Sequence, residues 1–392
     1  MATVFAGLVF GGDGIPQQEY RARREALRKS LAGGVAVLGG ENEKPEDELR
    51  SGFIQEPNFL YLTGWKEPGA ILLVSPPADE ILFLPGRNPD RERYVGRRAS
   101  AEDPNIRSVT GFEQVLPAES FEARLSKALE LHQKVDATEA VERLRLKKSP
   151  REVELIRKSI AATVRAQLAA WRRIRPGLFE YQVAATLVGS YLNAGCERGA
   201  FMPIVASGPN ATLLHYAAKS RRIGRGELIL IDAGAECSGY AADLSRTVPV
   251  DGKFTARQLE LYRAVLGAQK EVIKAVRPGM VFDRDGPLSL TRIAREYLNT
   301  HGKDRAGNPL GTHLTHLVGH HVGLEVHDAG SLSTSGPLEA GMVITVEPGI
   351  YIEEEAIGIR IEDVVLVTET GAEVLSLALP REPGEIERAL SK

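Results

Sequence analysis

Cysteine is nearly absent from this chain: Cys196 and Cys237 are the only two in 392 residues. Two cysteines do not make a disulfide framework at this length, so a reducing compartment is the simpler expectation. There is no excess of basic charge either. A formal net charge of −3 gives no reason to expect a nucleic-acid partner. No apolar run is long enough to span a bilayer, and the mildly apolar start MATVFAGLVFGG lacks the basic n-region and long h-region of a secretory signal. Gly-x-Ser-x-Gly and His-Glu-x-x-His are missing as well, which removes the nucleophile elbow and the zincin helix. What is left is a cytoplasmic protein without a membrane partner, long enough for one large core or two domains.

What is present is a set of acids in apolar strands. Asp232 lies in ELILIDAGAE and Asp243 in YAADLSRTVPV, two β-like runs joined around Cys237, Ser238 and Gly239. The register that sets Asp232 opposite Asp243 also sets Glu236 opposite Gly239, closing the turn on Cys237 and Ser238. Glu347 in GMVITVEPGIYI and Glu362 in GIRIEDVVLVT repeat the pattern. Their register pairs Glu353 with Ala356 around Glu354 and Glu355. Opposed residues on one sheet face have Cβ atoms about 5 Å apart, where like charges repel. A single such acid would read as a strand-end residue facing water. Two hairpins with matched acids ask for shared protons or divalent cations.

Histidine favours the cations. His313, His316, His320, His321 and His327 fall within HLTHLVGHHVGLEVHDAG, and the His316/His320 spacing places both on one face of a helix. For His313 and His321 a satisfied core or surface ring is the plainer reading. One imidazole with four carboxylates exceeds the needs of one zinc and suits two ions that share carboxylates. Ligand hardness puts Mn²⁺ first, with Co²⁺, Zn²⁺ or Fe²⁺ as other occupants.

The segments IVASGPNATLLHY, LILIDAGAECSGYAADLSRT, HLVGHHVGLEVHD, ITVEPGIYI and IRIED together resemble the metal and substrate blocks of the pita-bread metallopeptidases, in their proline-specific branch of aminopeptidase P and prolidase. The resemblance implies that Asp232 chelates one metal, that Asp243 and Glu362 bridge both, and that His320 and Glu347 complete the second. FIQEPNFLYLTGWKEPGAILLV is similar to the N-terminal domain of aminopeptidase P, although Ile54, Glu56 and Pro57 replace polar and basic residues expected before Asn58 and Phe59.

The expected fold class is α/β (α+β), with an N-terminal α/β domain over 1–146 and a catalytic pita-bread domain over 147–392. In the first, VAVLGG, NFLYLTG, AILLVS and EILFLPG read as short strands after the helical patch EYRARREALRKSL. The boundary follows from RLRLKKSPREVELIR, where Ser149-Pro150 interrupts the pattern and a strongly helical segment begins. The second domain carries an internal repeat. Arg175-Pro176-Gly177 recurs as Arg277-Pro278-Gly279, each followed by an acid, Glu180 or Asp283, and Tyr191-Leu192-Asn193 recurs as Tyr297-Leu298-Asn299. Each copy reads helix, Pro-Gly break, helix, acidic hairpin, which predicts a pseudo-twofold unit with the metals between its halves.

Two divalent ions would bring the pKa of a bridging water toward neutrality and so supply hydroxide without a covalent enzyme intermediate. Glu347 is the candidate for passing the water proton to the departing nitrogen. His327 and His215 are candidates for the oxyanion or substrate, His316 would line the same cleft one helical turn before His320, and Arg360 would orient a carboxylate such as that of Asp232. Tyr351 is cleft wall or ordinary packing. Proline specificity comes from the resemblance alone. It implies an Xaa-Pro aminopeptidase acting on peptides with proline at the second position, working as a homodimer or homotetramer. The alternatives are an Xaa-Pro dipeptidase and a non-catalytic peptide-binding module of the same fold.

Overall fold

The computed structural model describes residues 14–44 and 52–391, so the apolar start of the chain lies outside the described residues. The chain divides into two units, Met1–Arg145 and Leu146–Lys392. Among the described residues no helix is long and apolar enough to cross a membrane.

The first unit is built on a four-stranded sheet in the order β1 (Ala36–Gly39), β2 (Ile71–Ser75), β3 (Asp79–Leu84), β4 (Gln114–Pro117). The first three strands are antiparallel, and β4 joins β3 in parallel. Helix α1 (Gln17–Ser30) precedes the sheet. The expected strand NFLYLTG is instead a helix, α2 (Pro57–Thr63). Its ends explain why. Glu56 accepts hydrogen bonds from the Asn58 and Phe59 backbone N–H groups, Pro57 occupies the first turn, and Gly64 closes the helix at φ 66°. N-cap, proline and left-handed glycine together outweigh the strand preference of the aromatic and aliphatic run.

The second unit begins with α3 (Pro150–Trp171), started by a capping box in which Ser149 and Glu152 satisfy each other's backbone N–H groups. Helix α4 (Glu180–Asn193) follows, then the edge strands β5 (Arg198–Gly199) and β6 (Ile204–Ser207). The first acidic hairpin comprises β7 (Leu228–Ala233), β8 (Ala235–Cys237), β9 (Tyr240–Ala241) and β10 (Leu244–Pro249). The second half restarts with α5 (Ala256–Ala275), opened by a capping box of Thr255 and Gln258, and continues through α6 (Leu290–His301). It ends in the second hairpin, β11 (Val343–Val346), β12 (Gly349–Ile352), β13 (Ile357–Arg360) and β14 (Asp363–Val367).

The internal repeat is visible in the turns. Gly177 and Gly279 take φ values of 92° and 90°, which an L side chain rarely adopts. Their N–H groups donate to Ile223 O and Leu338 O at 2.9 and 2.8 Å. The tyrosine tripeptides, however, are not equivalent. Helix α4 buries Ala184, Leu187 and Tyr191, and α6 buries Thr291, Ala294 and Leu298 with the same spacing. Tyr191 therefore corresponds to Leu298, and the match of Tyr-Leu-Asn is displaced by one residue.

Cys196 and Cys237 form a disulfide, which corrects the expectation of two unlinked thiols. Pairing of β5 with β8, with Arg198 opposite Glu236, carries the two cysteines alongside each other. Sequence spacing did not reveal that short pairing.

Candidate metal centre

The first hairpin turns on Ser238 and Gly239, both left-handed at φ 58° and 85°. Two such residues make the tight turn whose twist suits antiparallel strands. Cys237 accordingly faces Tyr240, and Asp232 lies opposite Ser245 rather than Asp243. The expected register is corrected by one residue on each strand. The two carboxyl groups still meet, because Asp243 falls in the gap between β9 and β10, and its neighbour Ala242 crosses against Gly234. A Cβ at Gly234 would sit 1.8 Å from Ala242 O, so only glycine permits this approach.

The second hairpin has the register read from the sequence, with Gly349 opposite Arg360 and Ile352 opposite Ile357. Glu347 and Glu362 again occupy gaps, between β11 and β12 and between β13 and β14. The Glu362 N–H donates to Ser245 O at 3.0 Å and the Arg360 N–H to Thr247 Oγ1 at 3.2 Å, which stitches the second hairpin onto the first.

A glutamine stands behind each hairpin. Gln167 of α3 donates to Ile231 O and Leu244 O at 3.3 and 3.0 Å, each carbonyl beside a metal-candidate aspartate. Gln269 of α5 donates to Val346 O and Ile361 O at 3.3 and 3.1 Å, each just before a glutamate. These two residues escaped the sequence reading, although both lie the same number of positions before their Arg-Pro-Gly.

His320 does not arrive on a helix. Residues 318–322 are extended and antiparallel to β11: Thr345 N–H donates to His320 O, Val322 N–H to Val343 O, and Glu347 N–H to Val318 O. This pairing satisfies backbone groups that a helix would satisfy internally. It requires Gly319, where a Cβ would lie 2.3 Å from Thr345 O. His316 lies before this extended stretch, so no shared helix face joins it to His320.

The His320 Nδ1 lies 3.1 Å from His321 O. A carbonyl only accepts, so Nδ1 carries the proton and Nε2 presents a lone pair. That nitrogen stands 3.5 Å from both Asp243 Oδ2 and Glu347 Oε1. Asp243, His320 and Glu362, all buried, offer ligand atoms within 4.8 Å of one another. Burial, then the neighbouring Asp232 and Glu347 charges, drives the Asp243 carboxyl well above its ordinary range. Burial and the charges of Asp243, Glu347 and Asp232 do the same to Glu362. The Oδ1 atoms of Asp232 and Asp243 are buried without a hydrogen-bond partner. Orphaned oxygens, mutual repulsion and one oriented imidazole fit divalent cations of intermediate hardness.

Arg360 donates to Asp232 Oδ2 at 2.6 Å, to Tyr351 Oη at 2.9 Å and to Ser245 Oγ at 2.8 Å. Tyr351 in turn meets His316 Nε2 at 2.9 Å, while His316 Nδ1 meets Leu317 O at 2.7 Å. Tyr351, left unassigned from sequence, thus joins His316 to the arginine that holds Asp232. The His327 ring lies 4.0 Å from that of His320, and burial lowers its pKa to about 4. His215 is exposed, and burial lowers the pKa of His316. The remaining histidines of the cluster serve the fold. His313 contacts Asp304 at 3.0 Å, and His321 is buried with its pKa lowered to about 3.

Comparison with known proteins gives two family matches. Residues 154–369 match Metallopeptidase family M24, and residues 20–136 match Aminopeptidase P, N-terminal domain. An Xaa-Pro aminopeptidase of Haemophilus influenzae is 34% identical over 96% of this chain and 98% of its own length. The Escherichia coli aminopeptidase P with the inhibitor Pro-Leu superposes with a TM-score of 0.85 at 30% identity, covering 96% of this chain and 98% of that one. A zinc-substituted form of the same enzyme with product matches at a TM-score of 0.85 and 29% identity, with the same coverage.

Proposed function

This chain belongs to metallopeptidase family M24, and on that premise we propose that it is an Xaa-Pro aminopeptidase, releasing the residue that precedes proline at the free N-terminus of a peptide. The carrying observation is the buried ligand cluster with its orphaned carboxylate oxygens, set in a chain that matches Xaa-Pro aminopeptidases along almost its whole length. The proposal takes 1–146 as the aminopeptidase P-type domain and 147–392 as the catalytic domain. Mn²⁺ as occupant and a homodimer or homotetramer complete it.

Asp232 would hold one ion and His320 with Glu347 the other, with Asp243 and Glu362 shared. When bound, the ions supply an activated water and polarise the scissile carbonyl. The chain supplies the rest. Glu347 accepts the water proton and returns it to the departing nitrogen, which as a tertiary amide has no hydrogen of its own. Arg360 fixes the Asp232 carboxylate. His316 has both ring nitrogens committed, to Leu317 O and Tyr351 Oη, and so acts as a neutral wall for the proline ring. His327, neutral at physiological pH, and the exposed His215 contact the peptide carbonyl or its developing oxyanion.

The rival is an Xaa-Pro dipeptidase. Hydrolysis of an Xaa-Pro-Xaa tripeptide and an Xaa-Pro dipeptide by the purified, Mn²⁺-loaded protein separates the two. Turnover of the tripeptide is expected; turnover of the dipeptide alone overturns the proposal.

A further inference from the structure

Glu180 is fully buried at the first position of α4, and donors from a single loop surround its carboxylate. Oε1 accepts from the Ser207 N–H at 2.7 Å, Ser207 Oγ at 2.8 Å and Asn210 Nδ2 at 3.1 Å. Oε2 accepts from Tyr216 Oη at 2.8 Å and the Arg221 N–H at 3.1 Å. The Glu180 N–H itself donates to Arg221 O at 3.1 Å. One side chain therefore pins residues 207–221 at the start, the middle and the end.

The pinned loop carries His215. Its neighbours Leu214 and Tyr216 both pack on the buried cluster of Ile204, Ala206, Ala211, Leu230 and Tyr351. That cluster includes Tyr351, the hydrogen-bond partner of His316, so the loop lies beside the site, and the intervening His215 is left exposed. The loop is otherwise poor in regular structure, with one 3₁₀ turn over Gly208–Thr212. Without an anchor at Tyr216, nothing regular would fix the register of the histidine.

We propose that Glu180 is a positioning residue that sets His215 against the substrate through Tyr216 and the two ends of the loop. The proposal rests on the substrate-contact role given to His215 above. The recurring acid after Arg-Pro-Gly is not a general device, because Asp283 in the second half is exposed.

The test is a double-mutant comparison on the Mn²⁺-loaded enzyme, with kcat and KM for an Xaa-Pro-Xaa tripeptide, metal content and Tm measured throughout. Glu180→Gln keeps the shape but replaces one accepting oxygen by a donor, and Tyr216→Phe removes a single bond while keeping the packing. Each is expected to lower kcat/KM, Glu180→Gln by about tenfold and Tyr216→Phe by less, in the same kinetic parameter that His215→Ala moves and with bound metal unchanged. In the His215→Ala background neither should cause further loss. Losses that multiply in the double variants overturn the positioning role while leaving His215 as a contact. Full activity of His215→Ala overturns both. Tyr216→Phe carries the same test if Glu180→Gln fails to fold.

Discussion

The two halves of the catalytic unit, 150–249 and 256–367, share a frame and differ in what they hang on it. Each has a long capped helix, an Arg-Pro-Gly turn with its glycine near φ 90°, a second helix and a hairpin. Each places a glutamine amide across the two strands beside its acidic residues. The acidic hairpins are thus duplicated, while the histidines proposed to meet the substrate are not. The first half presents His215 from a loop pinned by Glu180. The second presents His316 just before a segment paired with β11, His320 within it and His327 after it, and is closed by Asp328, which holds buried Lys148 at 2.9 Å. Metal chemistry tolerates symmetry; recognition of a peptide with a direction does not.

The largest effect is expected at the acids, one from each half, that the two ions would share. Asp243→Ala, from the first hairpin, and Glu362→Ala, from the second, should each lower kcat by more than about a thousandfold, read in a tripeptide assay, because each deletes contacts to both ions. A marked difference between them would mean that the halves do not contribute equally.

The glutamines give the next largest effect. Gln167→Leu and Gln269→Leu should each weaken divalent-metal binding by roughly ten- to a hundredfold, the range for groups that hold ligands in place. Calorimetric titration of metal-free protein measures it. Gln269 also donates to Asp363 at 3.0 Å, whereas Gln167 accepts from Trp171 at 3.1 Å. Near-equal losses would show that the shared strand contacts, not these differing ones, set the affinity.

The smallest effect is on stability. Burial and mutual repulsion hold the carboxyl groups of Asp243 and Glu362 well above the ordinary carboxylate range. The folded metal-free protein thus binds protons that the unfolded chain has already released. Stability from this source is full below about pH 4 and is lost as pH rises through the folded pKa values. Chelator-treated protein should therefore lose several degrees of Tm from pH 5 to pH 8 by this term, and Mn²⁺ should abolish that slope. An unchanged slope would show that the acids are not the groups the ions relieve.

Much of this was legible because it rests on local rules. Setting Glu347 opposite Glu362 gave the second hairpin its register, and Ser149-Pro150 and the Arg-Pro-Gly turns marked the helix ends. What escaped depended on contacts distant in sequence. The helical face assumed for His316 and His320 yields to pairing with β11. The strand propensity of NFLYLTG yields to Glu56, Pro57 and Gly64. Gln167, Gln269 and Glu180 look like ordinary helix residues until the carbonyls and loop they bind are in place. The matching tripeptides at Tyr191 and Tyr297 mislead in the opposite way, since identity of letters there does not coincide with identity of buried face.

The central claim is that two hairpins from two related halves build one site for two ions. Titrating metal-free protein with Mn²⁺ and counting ions per chain tests it directly, with Asp232→Ala and Asp243→Ala in parallel. Two ions are expected for the unaltered chain, with one retained by Asp232→Ala and binding of both greatly weakened in Asp243→Ala. A single ion in the unaltered chain, or identical losses in the two variants, would contradict it.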